Sequence, residues 1–319
     1  MLSNRNEILI KTKLSQGLII IGTSALILSA ICFAINFFYT HYYGVVYLPH
    51  QVCYAALVLI FVHQGFSVLY GRNSQPAIIV REIFYFFLLM LIIAVASNAV
   101  QFTPFPRIDE WIFRTEVSWN IQIKHMIAWT HSLPIFNQIL TTSYSFLPYQ
   151  MAYFPLLIIA MRRFDIMREY YFLMLFGLVV GYSLYYFFPT TGPASIIESP
   201  YFTPSQYATG LKYTQIHQHL RPTTMDGGMI AFPSFHVIWG WYSLYILRGM
   251  PLVFIFMLPI YILLVVSCVL LGWHYPLDIL GGFVIIGLSH LTYYGYKNPQ
   301  RLFVKKNIKQ SFSEHLMDV

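Results

Sequence analysis

Apolar runs about as long as a bilayer is thick recur through this chain, and they decide what it can fold into. A helix rises about 1.5 Å per residue, so crossing a hydrocarbon core of roughly 30 Å takes about 20 apolar residues. Such runs lie at about 17–39, 52–70, 82–102, 147–161, 170–188, 230–247, 252–272 and 277–296, the fourth being short. Of the 319 residues, 57% are hydrophobic and 10% are charged. Soluble domains run nearer 45–50% and about 25%. No water-soluble fold of this length hides that much apolar surface, so the pattern predicts an all-α, polytopic membrane helix bundle with about eight transmembrane helices. The first run follows a polar start with Arg5, Lys11 and Lys13. It is too long for the core of a signal peptide and no small-x-small cleavage site follows, so it is expected to stay as a span.

The net charge of +7 does not mark a nucleic-acid binder here. In a membrane protein, Lys and Arg sort by side. Alternate segments carry Arg5, Lys11, Lys13, Arg72, Arg81, Arg162, Arg163, Arg168, Arg248, Lys297, Arg301, Lys305, Lys306 and Lys309. The intervening segments carry only Arg107, Arg114, Lys124, Lys212 and Arg221. The positive-inside rule then predicts both termini in the cytoplasm. Two long segments fall on the opposite side. Residues 103–146 are too polar to span and too apolar for a free loop, which predicts short interfacial helices. Residues 189–229, rich in Pro, Thr, Gly and Ser, form a natural wall or lid of a site. Cys32, Cys53 and Cys268 lie in or beside apolar runs without C-x-x-C spacing and fix no redox compartment.

The chemistry concentrates between Phe232 and Gly282. Phe-Pro-Ser-Phe-His (232–236) opens this stretch, Gly-Trp-His-Tyr-Pro-Leu-Asp (272–278) closes it, and Arg248-Gly-Met-Pro251 breaks the apolar sequence between them. That is the punctuation of a helical hairpin. Going down one helix and back along the next returns His236 and His274 to the same end. Asp278, four residues after His274, is placed to hold its imidazole if both lie on one helix face. Ionisable groups at a membrane boundary are costly unless paired, which makes this His, His, Asp group a candidate site facing periplasm, lumen or exterior. The same three residues could ligate a metal, but no fourth ligand is evident, and Asp278 is better placed to orient His274. His217 and His219 form a weaker H-x-H pair. No metal or cofactor is expected.

At these residues the sequence resembles the type 2 phosphatidic-acid phosphatase superfamily. Pro233-Ser234-Phe235-His236 is similar to its P-S-G-H motif, with Phe for Gly. Ser267-Cys268, five residues, His274, three residues and Asp278 are similar to S-R-x5-H-x3-D, with Cys for Arg. The segments 188–193 (Phe-Pro-Thr-Thr-Gly-Pro) and 107–113 (Arg-Ile-Asp-Glu-Trp-Ile-Phe) look most like the inositol phosphorylceramide synthase branch. The resemblance covers roughly residues 81–296 and implies a six-helix core (76–319) preceded by two additional transmembrane helices (1–75). It implies that His274 attacks phosphorus to form a phosphohistidine, oriented by Asp278. His236 would protonate the leaving alkoxide and then activate the incoming hydroxyl. Ser234 and free N–H groups at the start of its helix would hold phosphate oxygens. The departures are the motif cation, replaced by Cys268, and an imperfect K-x6-R-P, of which Arg221-Pro222 supplies the end. Arg221, with Lys212 behind it, is the expected substitute cation.

The resemblance thus implies an integral membrane lipid phosphatase or phosphotransferase, with a phospholipid substrate and water or a hydroxylated lipid as acceptor. A non-catalytic phospholipid-binding or transport protein keeping a degenerate site is the alternative from a different class. Transporters often carry repeated halves and midplane sites, and neither is legible here.

Overall fold

The computed structural model describes residues 2–42 and 51–298, apart from the side chains of residues 2–15, Gln51 and Cys53. Arg5, Lys11 and Lys13 in the charge pattern therefore have no described side chains, and Arg301, Lys305, Lys306 and Lys309 lie outside the described residues. Among the described residues there are helices and no strands. In order they are α1 (Leu2–Phe38), α2 (Gln51–Tyr70), α3 (Gln75–Ala99), α4 (Asp109–Ser118), α5 (Ile123–His131) and α6 (Pro134–Ser145). Then come α7 (Leu147–Ala160), α8 (Phe164–Phe187), α9 (Pro204–His217), α10 (Phe235–Tyr245), α11 (Pro251–Leu270) and α12 (Pro276–Lys297).

Five stretches are long and apolar enough to cross a bilayer: Gln16–Phe38, α3, α8, α11 and α12. The apolar parts of α2 (Tyr54–Tyr70) and α7 are shorter, and α10 has 11 residues before a 3-10 turn, Ile246–Gly249, closes the hairpin. The shortness of α10 has a local cause. Residues 230–234, expected inside a span, run non-helically and build the site wall, so the helix begins only at Phe235. Helix α3 starts earlier than expected, because Pro76 in its first turn suits a helix entry. The 103–146 segment forms three short helices, as its mixed pattern predicts.

Helix α8 is the axis of the bundle. It is the most enclosed of the five, with 61% of its spanning stretch buried, against 17% for the spanning part of α1 and 22% for α11. Tyr170, Phe172 and Tyr185 are its fully enclosed large residues. Around it pack α1, α3, α10 and α12, while α2 leans on α3 and α6 lies along α11. The outer faces keep large apolar side chains exposed, such as Ile27 on α1, Phe61 on α2, Phe256 on α11 and Leu291 on α12. Surface of that kind calls for lipid rather than water. This is an integral membrane protein.

Charges separate to the two ends. At one end Arg162 reaches Gln75 at 3.2 Å, Arg168 pairs with the fully buried Glu82 at 2.7 Å, and Arg248 pairs with Glu169 at 2.5 Å. These arginines belong to the group that the charge pattern assigns to one side. At the opposite end α10 and α12 begin and α11 finishes, and there His236 and His274 meet.

Candidate active site

The hairpin does what its punctuation predicts. His236 Nδ1 lies 3.5 Å from His274 Nε2, with ring centroids 5.5 Å apart. The path to this geometry differs from the expected helix face. Pro276 starts α12, so His274 sits in the preceding loop and Asp278 in the first turn. The carboxylate acts first as part of a capping box, with Oδ2 accepting the Tyr275 N–H at 2.9 Å. The same oxygen stands 3.4 Å from His274 Nδ1, whose nearer acceptor is the Ala231 carbonyl at 3.0 Å. Two acceptors facing Nδ1 place its proton there, which leaves the Nε2 lone pair directed toward His236.

Cys268, in the place of the motif arginine, is completely buried at the end of α11. Its carbonyl accepts the N–H groups of Trp273 at 3.0 Å and His274 at 2.8 Å. The position therefore holds the histidine loop through its backbone and brings no charge. Ser234, buried beside Cys268, stands at the N-cap position of α10 without a side-chain cap bond, and its own N–H is taken by the Asp278 carbonyl at 3.0 Å. That amide is therefore engaged by α12, and the free N–H groups expected near the start of the helix are those of its first turn, after Ser234.

The expected cations also lie elsewhere. Arg221 is exposed in the loop after α9 and does not line the cavity beside the histidines. Lys212 is buried, with Nζ 2.9 Å from the Asp226 carbonyl and 3.4 Å from that of Gly227. Lys212 faces inward from α9 and bonds main-chain oxygens of the next loop, and it does not line the cavity beside the histidines. His217 of the H-x-H pair lies within 2.8 Å of the Tyr213 carbonyl and 2.9 Å of the Thr103 carbonyl.

Two cavities meet at His236. The smaller, about 40 Å³, is lined by His236, His274, Tyr144, Thr191, Gln206 and Thr209 together with backbone of Gly192 and Gly228. The larger, about 630 Å³, is an apolar cleft between Phe86, Met90 and Ala94 of α3, Met151 of α7, and Phe235 and Trp239 of α10. His236, Gly228 and Ile230 border both. The 189–229 segment forms the wall of the smaller cavity, as predicted.

Three groups that sequence reasoning passed over complete the surroundings. Asp109 opens α4 and Glu116 follows seven residues later, two turns on and so on one face, with Ile112 between them. Asp109 is fully buried and accepts the amides of Gly192 at 2.9 Å and Thr191 at 3.0 Å. Glu116 accepts the Leu277 amide at 2.9 Å in the first turn of α12. One short helix thus holds both loops of the site. Burial pushes the Asp109 carboxyl up to about 7 against the pull of those two amides, and Asp278 adds to the rise. Burial likewise raises Glu116 to about 7, opposed by the Leu277 amide. Gly192 fits this clamp because its φ is +91° and a Cβ would come within 2.8 Å of the Trp273 carbonyl. The third group is Tyr144 of α6, whose ring stacks on His236 with centroids 4.2 Å apart.

The family profile of the PAP2 superfamily matches residues 110–292, more than half of the chain, and takes in the whole hairpin. No curated protein matches the chain, and no solved structure does.

Proposed function

The chain belongs to the PAP2 superfamily, which makes it an enzyme of phosphatase or phosphotransferase type, and from that premise we propose that it acts on a phospholipid phosphate group through a phosphohistidine. The observation that carries this reading is the position of His236, between a small cavity lined by His274 and several polar side chains and an apolar cleft of ligand size. A phosphoryl group in the first and a lipid tail in the second would bring the ester bond to the histidines.

In this mechanism the His274 Nε2 lone pair attacks phosphorus, and the P–O bond to the leaving group breaks. His236 gives that alkoxide a proton. His236 then takes the proton of the acceptor hydroxyl, whose oxygen forms the new P–O bond as the N–P bond breaks. The Ala231 carbonyl and Asp278 keep the Nδ1 proton in place, stabilising the charge that the ring acquires. The acceptor is water or a lipid hydroxyl. The likeness of segments 107–113 and 188–193 to the inositol phosphorylceramide synthase branch favours the lipid hydroxyl.

Eight crossings, with α2, α7 and α10 spanning beside the five long helices, agree with the charge separation. With the positive-inside rule, this reading has both termini in the cytoplasm and the histidines on the other face. The first two helices (1–75) are additions to a six-helix core (76–319).

The test uses purified protein in detergent with EDTA, offered labelled phosphatidic acid and phosphatidylinositol with and without ceramide or diacylglycerol, beside His274→Ala. Phosphate or headgroup phosphate released without acceptor, and lost in the variant, identifies a phosphatase; product only with acceptor identifies a transferase. Equal activity in wild type and His274→Ala removes the mechanism.

A further inference from the structure

We propose that Tyr144 is a positioning residue that holds His236 in register with His274; this rests on the reading of the histidine pair above. The hydrogen bond given to His236 by the structure is the 3.5 Å contact with His274 Nε2, at the outer limit for such a bond. One long contact leaves an imidazole free to turn about its terminal torsion, which is broad and roughly two-fold. The flat surface against the ring is what restricts it. Tyr144 supplies that surface, with centroids 4.2 Å apart and planes 19° from parallel. The same phenol stacks on Trp273, at 5.1 Å and 11°. Trp273 is the neighbour of His274, and both their amides hang on the Cys268 carbonyl. Tyr144 therefore ties the segment carrying one histidine to the ring of the other. Helix α6, packed along α11, fixes the phenol from outside the hairpin. The ring also lines the smaller cavity, so it sits where the histidines must present themselves to a reacting group.

This arrangement assigns the role to the aromatic face and not to the hydroxyl. The experiment compares wild type with Tyr144→Phe, Tyr144→Trp and Tyr144→Leu in two assays. Phosphate release and transfer are measured with the lipid panel above. Carbethoxylation of His236 by diethylpyrocarbonate is followed by peptide mass spectrometry, which needs no turnover. A misplacement of about 1 Å can cost on the order of a hundredfold in rate. Tyr144→Leu is expected to lower kcat by roughly ten- to a hundredfold with KM changed less than about threefold, and Phe and Trp to restore most of it. Carbethoxylation of His236 is expected to quicken in the Leu variant and to stay near wild type in Phe. A Phe variant as impaired as Leu would overturn the proposal, because the hydroxyl would then be the working group. Equal kcat in wild type and Leu would overturn it too, as would equal labelling in all four proteins. If the wild type turns over no lipid phosphate, the enzymatic reading fails while the labelling contrast still decides the role of Tyr144.

Discussion

Replacing Asp109 by alanine tests how α4 holds the site, and its effect should depend on pH. The carboxylate accepts the amides of Thr191 and Gly192, both buried residues, at 3.0 and 2.9 Å. Alanine leaves two buried donors without partners, at about 1–3 kcal/mol each, so about 4 kcal/mol in all. Against this, the native carboxyl titrates near 7 where an unfolded Asp titrates near 4. A raised carboxyl stabilises the fold fully below the unfolded value, and that contribution is lost as pH rises through the folded value. A protonated Asp109 still accepts through its carbonyl oxygen, so the clamp survives at low pH. The two pH units from 5 to 7 correspond to about 3 kcal/mol. Asp109→Ala should therefore destabilise more at pH 5 than at pH 8. Thermal unfolding in detergent, followed by tryptophan fluorescence at both pH values, reads this out. The expected drop in apparent Tm is on the order of 10 °C at pH 5 and clearly smaller at pH 8. Equal drops at both would refute the linkage, and no drop at either would refute the clamp.

Glu116→Gln keeps an oxygen for the Leu277 amide and removes the titration; the decline of apparent Tm from about pH 4.5 to 7 should flatten while the value at pH 5 changes little. Gly192→Ala forces a side chain into a left-handed backbone and toward the Trp273 carbonyl, a cost of about 1–3 kcal/mol, visible as lower Tm and reduced turnover. Arg168→Ala strands the buried Glu82 and should cost about 1–3 kcal/mol, discounted because the arginine is 38% exposed. Adding Glu82→Gln should recover most of that loss, and chemical unfolding of the single and double variants would show whether it does.

The long spans were legible because hydropathy acts over some 20 residues and depends little on tertiary context. The meeting of His236 and His274 was legible for a similar reason: one turn at Gly249 determines where a hairpin's ends return. What stayed hidden came from chain-distant contacts. Asp109 works 82 residues away on Thr191, and Glu116 works 161 residues away on Leu277. Their seven-residue spacing about Ile112 was a signal that two acids shared a buried face, though not what they would hold. Tyr144 is one of 25 tyrosines and carried no spacing signal at all. The surroundings of Lys212 were not legible either: sequence places it near the motif but does not show its ammonium bonded to carbonyl oxygens of the next loop. The expected helix face of His274 and Asp278 failed at Pro276, which moves the helix start past the histidine.

His236 borders both the polar cavity and the apolar cleft, and this has a kinetic consequence. Under the phospholipid reading proposed above, a substrate with its tail in the cleft walled by α3, α7 and α10 approaches through the lipid phase. The quantity that sets its rate is then its mole fraction among amphiphiles, not its amount per volume of buffer. Adding inert detergent at fixed total substrate would slow a long-chain phosphate by thinning it in two dimensions. A water-soluble phosphate ester entering by the polar side would react at an unaltered rate.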